Sequence, residues 1–226
     1  MNDFKDEVLD TFKKTTKEYI GNANSIHILG VNSKKLIDAS SMQISKLLKL
    51  DKQEIIYTSG NLENVNLLLF GYLENFKNKD VNVLIDKKID NEIKDALDKL
   101  EIKIIYFDSD NFPFNKIDDK SILLYFCDIP NYLEEIVNNK PMRLKIALDA
   151  SSNLKYENFK NIDFIHFDLE KINGILGIGA LIRKKNIDIT PLLHGGESTT
   201  KVRSGTPALA LITSFAKNLR LWYINN

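Results

Sequence analysis

The chain has 226 residues, of which 43% are hydrophobic and 27% charged, a composition typical of a folded globular protein with a substantial core. Its 31 basic and 31 acidic residues cancel and are spread along the chain, which argues against nucleic acid or an anionic membrane as the main partner. The single cysteine, Cys127, excludes an intrachain disulfide. With no apolar run near the ~20 residues that span a bilayer, the sequence predicts a cytoplasmic protein.

Two helices are predicted before the first strand. In the first, over Asp6–Tyr19, side chains such as Val8, Leu9 and Phe12 fall near one face at helical spacing, and the segment GNAN ends the helix. The second is predicted over Ser33–Leu50. Both are expected to cover a sheet that the next segments form.

A strand, a tight turn and a helix follow directly. Residues Glu54–Thr58 are short, β-branched and aromatic, SGN makes the turn, and apolar residues from Val65 to Tyr72 resume as a helix. The remaining predicted elements are strands at 81–85, 102–107, 121–126, 144–149, 162–167 and 177–183, and helices at 91–100, 132–137 and 206–223. Strands that are apolar on both faces and alternate with short helices predict an α/β fold, a mostly parallel sheet covered by helices, in one domain over residues 1–226.

The segment TSGN, residues 58–61, lies between the first strand and its helix. Such a turn presents backbone N–H groups and the positive end of the helix dipole, which suit a phosphate. Serine and glycine also occur in these turns for geometry alone, so the segment leaves both interpretations open.

Asp149 ends the predicted strand LKIALD and is followed by ASSN. Carboxylates at the carboxyl ends of strands lie on the edge where open α/β sheets bind ligands. An aspartate at this place can equally cap the next turn through its side chain.

A third region runs from FDLEKINGILGIGALIRKK, which contains Lys171, to VRSGTP at residues 202–207. There Arg203 and Thr206 come just before Pro207, and proline at this place is predicted to be the first residue of the last helix. A guanidinium and hydroxyls at a helix start suit an anion. The alternative is a structural loop with a surface arginine.

Histidine and cysteine suggest no further chemistry. The three histidines lie far apart in the sequence, so none has the local spacing of a metal site. His166, inside a predicted strand, is interpreted as a packed side chain. Cys127 is interpreted as a small buried apolar residue and not as a nucleophile, and no G-x-S-x-G nucleophile turn occurs.

Five segments in order resemble motifs of the cysteine desulfurases, a class V aminotransferase group of fold type I enzymes that use pyridoxal phosphate (PLP). They are GNANSIHILG (21–30), EIIYTSGNLENVNLLLFG (54–71), LDASS (148–152), EKINGILGIGALIRKK (170–185) and LLHGGESTTKVRSGTP (192–207). The resemblance extends from about Asp6 to Tyr223 and implies the large domain of that fold. The small C-terminal domain of the family has no counterpart in this sequence.

The resemblance implies roles for individual residues. Lys171 corresponds to the lysine that links to PLP, and Asp149 to the aspartate that pairs with the pyridinium nitrogen and keeps the ring an electron sink. Ser152 takes the place of a glutamine that meets the phenolic oxygen of the cofactor. The other implied cofactor contacts are Asn61 and Leu62 in the phosphate-binding turn, and Arg203 and Thr206, whose RSGT segment lies in the family at the dimer interface near the partner's phosphate.

Several positions differ from the family pattern. Leu62 replaces a threonine that holds the phosphate, and Asp168 and Glu170 replace a serine and a histidine that also contact it. The family's catalytic cysteine lies on a mobile loop of the small domain, and Cys127 does not match its place.

Two hypotheses follow. In the first, the protein is a cysteine desulfurase-like transferase that mobilises sulfur from cysteine with PLP, is incomplete or inactive alone, and needs a cysteine from another chain. In the second, it is a catalytically degenerate paralogue that acts as a dimerising or scaffold partner in sulfur transfer or iron–sulfur assembly. The expected partners are a second copy, a desulfurase or an iron–sulfur scaffold protein.

Overall fold

The computed structural model describes residues 5–51, 53–196 and 200–226. Within these ranges a seven-stranded sheet has helices on both faces. The strands are β1 Gln53–Thr58, β2 Asn82–Asp86, β3 Lys103–Phe107, β4 Ser121–Phe126, β5 Lys145–Asp149, β6 Phe164–Asp168 and β7 Gly179–Lys184. The helices are α1 Lys5–Glu18, α2 Ile28–Leu47, α3 Asn61–Leu73, α4 Asn91–Leu97, α5 Leu133–Asn139 and α6 Leu209–Asn225.

The predicted mostly parallel sheet is confirmed. Its strand order is β1-β7-β6-β5-β4-β2-β3, and β3, β2, β4, β5 and β6 run parallel. Only β7 runs against its neighbours β6 and β1. The connection from β6 to β7 spans residues 169–178 with a single 3₁₀ turn, too short for the helical crossover that a parallel neighbour requires.

Two apolar layers enclose the sheet. Helices α2, α5 and α6 pack on one face, and α3 and α4 pack on the other. Because both faces are covered, β2, β4 and most of β6 are buried along their length, as expected for strands that are apolar on both sides.

The second helix begins earlier than predicted. It starts at Ile28 and not at Ser33, because His27 caps it, with its ring Nδ1 accepting a hydrogen bond from the backbone N–H of Gly30 at 3.2 Å. Histidine is not among the common N-cap residues, so the sequence did not indicate this start.

Two other details differ from the sequence predictions. The last helix begins at Leu209, so Pro207 is not its first residue; the carbonyl of Pro207 instead accepts the Leu209 N–H at 2.9 Å. Leu9, predicted to face inward, is 50% exposed, whereas Val8 is buried. No helix in the described ranges is long and apolar enough to cross a bilayer.

Candidate functional site

The sheet brings the predicted site residues to one edge. Strands β1, β5 and β6 end there and β7 begins there, with Thr58 and Asp168 both paired to Gly179. The carboxyl ends of parallel strands form the usual ligand-binding edge of α/β sheets. Asp149, Lys171 and the TSGN turn therefore come together, although they are far apart in the sequence.

Asp149 ends β5 and is almost buried, with 8% of its surface exposed. Its Oδ1 accepts the backbone N–H of Ser151 at 2.9 Å, and its Oδ2 accepts the side-chain amide of Asn61 at 3.2 Å. Burial raises the pKa of this carboxyl, but the neighbouring His166 imidazole and the hydrogen bonds from Ser151 and Asn61 outweigh burial and lower the pKa. Asp149 is thus an oriented carboxylate, ionised at neutral pH.

Lys171 lies in the 3₁₀ turn Glu170–Ile172 that follows β6. Its side chain is exposed, and its Nζ donates to the Ser152 hydroxyl at 2.6 Å. Within the ranges that the structure describes, no carboxylate pairs with this amine. The structure thus places the predicted residues Lys171 and Ser152 in contact.

The backbone after Lys171 is held tightly. Asn173 adopts a left-handed conformation with φ of 54°, and the N–H of Gly174 bonds the carbonyl of Leu169 at 2.7 Å. A Cβ on Gly174 would lie 2.4 Å from the Cβ of Leu169, so only glycine fits this close approach. Asn218 of α6 accepts the N–H of Ile175 at 2.8 Å, which ties the loop to the helix layer.

The TSGN turn connects β1 to α3 as predicted. Gly60 has φ of 150°, a conformation that favours glycine, and α3 begins at Asn61. The Thr58 hydroxyl donates to Asn64 at 2.6 Å, and Asn64 in turn donates to the carbonyl of Phe167 at 3.2 Å. These buried bonds fix the start of α3 against the end of β6.

A carboxylate already occupies part of this turn. Glu63 Oε2 accepts the backbone N–H of Ser59 at 2.7 Å, and Glu63 Oε1 accepts Arg203 Nε at 3.0 Å. Burial raises the pKa of Glu63, but the hydrogen bonds from Arg203 and Ser59 outweigh burial, and the pKa falls below its usual value. Sequence reasoning did not include Glu63, which holds Arg203 in its own chain.

Thr206 and Arg203 line a cavity of about 190 Å³ beside the TSGN turn, together with Ser59. Asn22 donates to the Thr206 hydroxyl at 3.3 Å. Neither Lys171 nor Asp149 lines this cavity, so the predicted residues divide into two adjacent groups.

The three positions that differ from the resembled motifs are exposed or partly exposed. Leu62 is 65% exposed at the start of α3. The Asp168 carboxylate accepts the backbone N–H of Glu170 at 3.1 Å, and the Glu170 side chain is exposed. Both acids lie within three residues of Lys171 in the sequence.

His166 is buried, as predicted, but it is more than a packing residue. Its ring Nδ1 lies 2.7 Å from the side-chain oxygen of Asn61, and its Nε2 lies 3.0 Å from the Tyr125 hydroxyl. A polar residue in an apolar strand is the one signal that could have indicated this role. The pairing of His166 with Asp149 in the neighbouring strand could not, because strand register cannot be read from the sequence.

Cys127 follows β4 and is half-buried, less enclosed than predicted. Burial raises the pKa of its thiol well above the usual value, and the carboxylates of Asp86 and Asp149 add to this effect. A thiol that resists ionisation is a poor nucleophile, which agrees with the prediction that it is not the reactive group.

Comparison with known proteins agrees with this geometry. A family model described as aminotransferase class-V matches residues 3–225. Cysteine desulfurase IscS of Dictyoglomus turgidum is 28% identical over 95% of this chain and 60% of its own length. Cysteine desulfurase IscS of Rickettsia typhi is 31% identical over 89% of this chain and 54% of its own. The chain thus spans about 60% or less of the length of these curated relatives.

Solved structures show the same fold. A NifS-like protein superposes with a TM-score of 0.86 at 22% identity, covering 98% of this chain and 67% of the other. The NifS-like protein from Rickettsia africae superposes with a TM-score of 0.81 at 22% identity, covering 97% and 66%. Since the family match covers nearly all 226 residues, the chain belongs to the aminotransferase class-V family, with the fold of the PLP-dependent cysteine desulfurases.

Proposed function

We propose that this chain binds PLP at Lys171 and takes part in mobilising sulfur from cysteine, the activity for which its curated relatives are named. The observation that supports the proposal best is the pair of groups at one edge of the sheet. A buried, ionised Asp149 ends β5, and an exposed Lys171, whose amine has Ser152 as its one hydrogen-bond partner among the described residues, follows β6. A lysine amine and a fixed carboxylate are the groups that a PLP ring requires.

The residues fit the ring of the cofactor. A carboxylate offers about four acceptor sites, and Asp149 uses two for Ser151 and Asn61, which leaves capacity for a ring N–H. Lys171 supplies the amine, which attacks a carbonyl in its neutral form, and Ser152 orients that amine. When bound, the cofactor supplies an electron sink for chemistry at the α-carbon of an amino acid.

The residues fit the phosphate less well. Glu63 already accepts the Ser59 N–H, Leu62 offers no hydrogen bond, and Asp168 carries like charge. At an effective dielectric of ~20, a carboxylate close to a phosphate costs on the order of a few kcal/mol. The backbone N–H groups in the first turn of α3 remain as donors, so we expect PLP to bind weakly and to dissociate readily.

Sulfur release needs a thiol that this sequence does not supply in reactive form. Cys127 is its one cysteine, and burial together with Asp86 and Asp149 keeps that thiol protonated. The thiol that accepts sulfur therefore belongs to a segment or chain outside this sequence. A second copy of this sequence would bring only another Cys127, so we expect a heterodimer with a desulfurase to bring such a thiol to Lys171.

A PLP titration tests the proposal. The visible absorption of the purified protein should shift from that of free PLP as the lysine link forms, and Lys171→Ala should abolish the shift. Lys185→Ala, which removes an exposed lysine beyond β7, is the matched control and should behave as wild type. A wild-type protein that shows no shift at millimolar PLP would overturn the proposal.

The second candidate is a partner or scaffold without cofactor chemistry. The exposed Leu62 and the acids Asp168 and Glu170 favour it, because all three stand where the resembled motifs hold a phosphate. Mixing the protein with a full-length cysteine desulfurase and measuring mass by light scattering distinguishes the two. A stable heterocomplex from a protein that binds no PLP would support the scaffold, whereas PLP binding at Lys171 would exclude a purely structural role.

A further inference from the structure

Four polar side chains form a continuous chain of hydrogen bonds beneath the site. Tyr125 of β4 lies 3.0 Å from His166 Nε2, His166 Nδ1 lies 2.7 Å from Asn61 Oδ1, and Asn61 Nδ2 lies 3.2 Å from Asp149 Oδ2. The chain joins three strands to the first residue of α3. It ends on the carboxylate that would face the cofactor ring.

The chemistry of Asp149 dictates the direction of every bond. An ionised carboxylate can only accept, so Asn61 must turn its NH2 toward Asp149 and its oxygen toward His166. An amide oxygen can only accept, so His166 must carry its proton on Nδ1. With one ring proton placed, the neutral ring accepts from the Tyr125 hydroxyl at Nε2. One tautomer therefore satisfies all four groups.

Packing holds the imidazole in place and keeps it neutral. His166 is fully buried and stacks on Tyr125 with a ring separation of 5.7 Å and an interplanar angle of 7°. Burial lowers the pKa of His166. Asp149 and Asp168 oppose that effect and Lys171 reinforces it, with the pKa below its usual value as the result. At neutral pH the ring is thus uncharged.

We propose that His166 is a positioning residue for Asp149, because its Nδ1–H locks the Asn61 amide so that the amide donates to the carboxylate and directs it toward the ring site. This inference deepens the proposed function and rests on it for the effect on the cofactor. A hydrophobic residue at position 166 would leave the Asn61 oxygen unbonded and free the amide to rotate, which would remove a donor from Asp149.

The first test needs no cofactor. Nitrogen NMR of ¹⁵N-histidine-labelled protein at pH 7 reports which ring nitrogen bears the proton, and a His166→Asn spectrum assigns the signal. We expect a neutral His166 with Nδ1 protonated and Nε2 in the pyridine-like range. The opposite tautomer, or a charged ring, would overturn the inference.

A matched pair of variants tests the positioning role. His166→Asn keeps an N–H donor near the place of Nδ1, and His166→Leu has similar size without a donor. Folding of both is verified by circular dichroism and urea unfolding. We expect His166→Leu to raise the apparent dissociation constant for PLP about tenfold and His166→Asn to recover most of that loss. Equal affinities for the two variants would contradict the positioning role.

The pH dependence of stability gives an independent readout. Because the folded state lowers the pKa of His166, the unfolded state binds more protons below pH ~6.5. Stability from this group is complete above that pH and is lost as the pH falls toward the folded pKa. Between pH 6.5 and 5 the urea midpoint should decline more steeply in wild type than in His166→Asn, and parallel curves would contradict a buried neutral ring.

PLP binding and the state of His166 are measured separately, so the proposed function and the positioning role can fail independently. If wild-type protein retains no PLP, the proposed function fails, while the tautomer and the pH comparison still decide the state of His166. If PLP binds and both variants bind it as wild type does, the proposed function stands and the positioning role is overturned.

Discussion

Asp163 precedes β6, the strand that leads to Lys171, and its charge is buried between two lysines. Its side chain is 5% exposed, with Lys140 Nζ at 3.2 Å and Lys184 Nζ at 3.1 Å. Its Oδ2 also accepts the backbone N–H of Ile146 at 3.0 Å. Burial lowers the pKa of Lys140, and Asp163 opposes that effect. Among the described residues, Asp163 is therefore the only acidic partner of the buried Lys140 ammonium.

Asp163→Asn removes the charge and keeps the shape. Loss of one member of a buried pair costs about 3–5 kcal/mol; because Lys184 is 31% exposed and can turn to water, we expect about 3 kcal/mol. With a slope near 3 kcal/mol/M for a chain of this size, the urea midpoint should fall by about 1 M at constant slope.

The matched control is Asp80→Asn. Asp80 pairs with Lys120, but their side chains are 80% and 56% exposed, and exposed pairs contribute less than about 1 kcal/mol. Its midpoint should stay close to wild type. Equal midpoint shifts for the two variants would show that burial does not make the Asp163 charge costly to remove.

Three further predictions test other parts of the structure. Gly179→Ala should lower the unfolding free energy by about 1–3 kcal/mol, because its Cβ would lie 2.8 Å from Asn64 Nδ2, whereas Gly196→Ala meets no atom within 4 Å and should be neutral; equal urea midpoints would contradict this packing. Cys127 should react with a thiol reagent at least about tenfold slower than free cysteine until urea unfolds the chain, because each unit by which the pKa rises lowers the thiolate fraction about tenfold. Fast labelling of the folded protein would contradict a raised pKa. Glu63→Gln should lower the unfolding free energy by about 1 kcal/mol at pH 7. The folded state lowers the pKa of Glu63, so the ionised carboxylate stabilises the fold above pH ~4.3, and this stabilisation is lost as the pH falls through the folded pKa. The variant should therefore lose less stability than wild type on acidification, and parallel acid unfolding curves would count against this ion pair.

Local patterns in the sequence predict much of the fold. Five of the seven strands, β2 and β4 to β7, are short apolar runs buried at all but at most one residue. The TSGN segment has the residues that a strand-to-helix turn requires. Asp149 lies at a strand end, where α/β sheets bind ligands. These features depend on neighbours in sequence, so periodicity and turn chemistry suffice to find them.

Features that depend on pairing between distant segments could not be predicted. The reversed direction of β7 and its place between β1 and β6 follow from sheet register and connection length. The bond between Glu63 and Arg203 joins positions 140 residues apart. The contact of His166 with Asn61 spans 105 residues, so the sequence alone predicts only packing for a strand histidine.

We propose that Lys171 is the chemical group that holds PLP at this edge of the sheet. Incubation with PLP, reduction with borohydride and peptide mass spectrometry test it most directly, because reduction makes the lysine link permanent. We expect one dominant modified residue, Lys171, with much lower labelling in Asp149→Asn than in wild type at the same PLP concentration. Modification spread evenly over exposed lysines such as Lys185, and unchanged in Asp149→Asn, would show that Lys171 is not the PLP-binding residue.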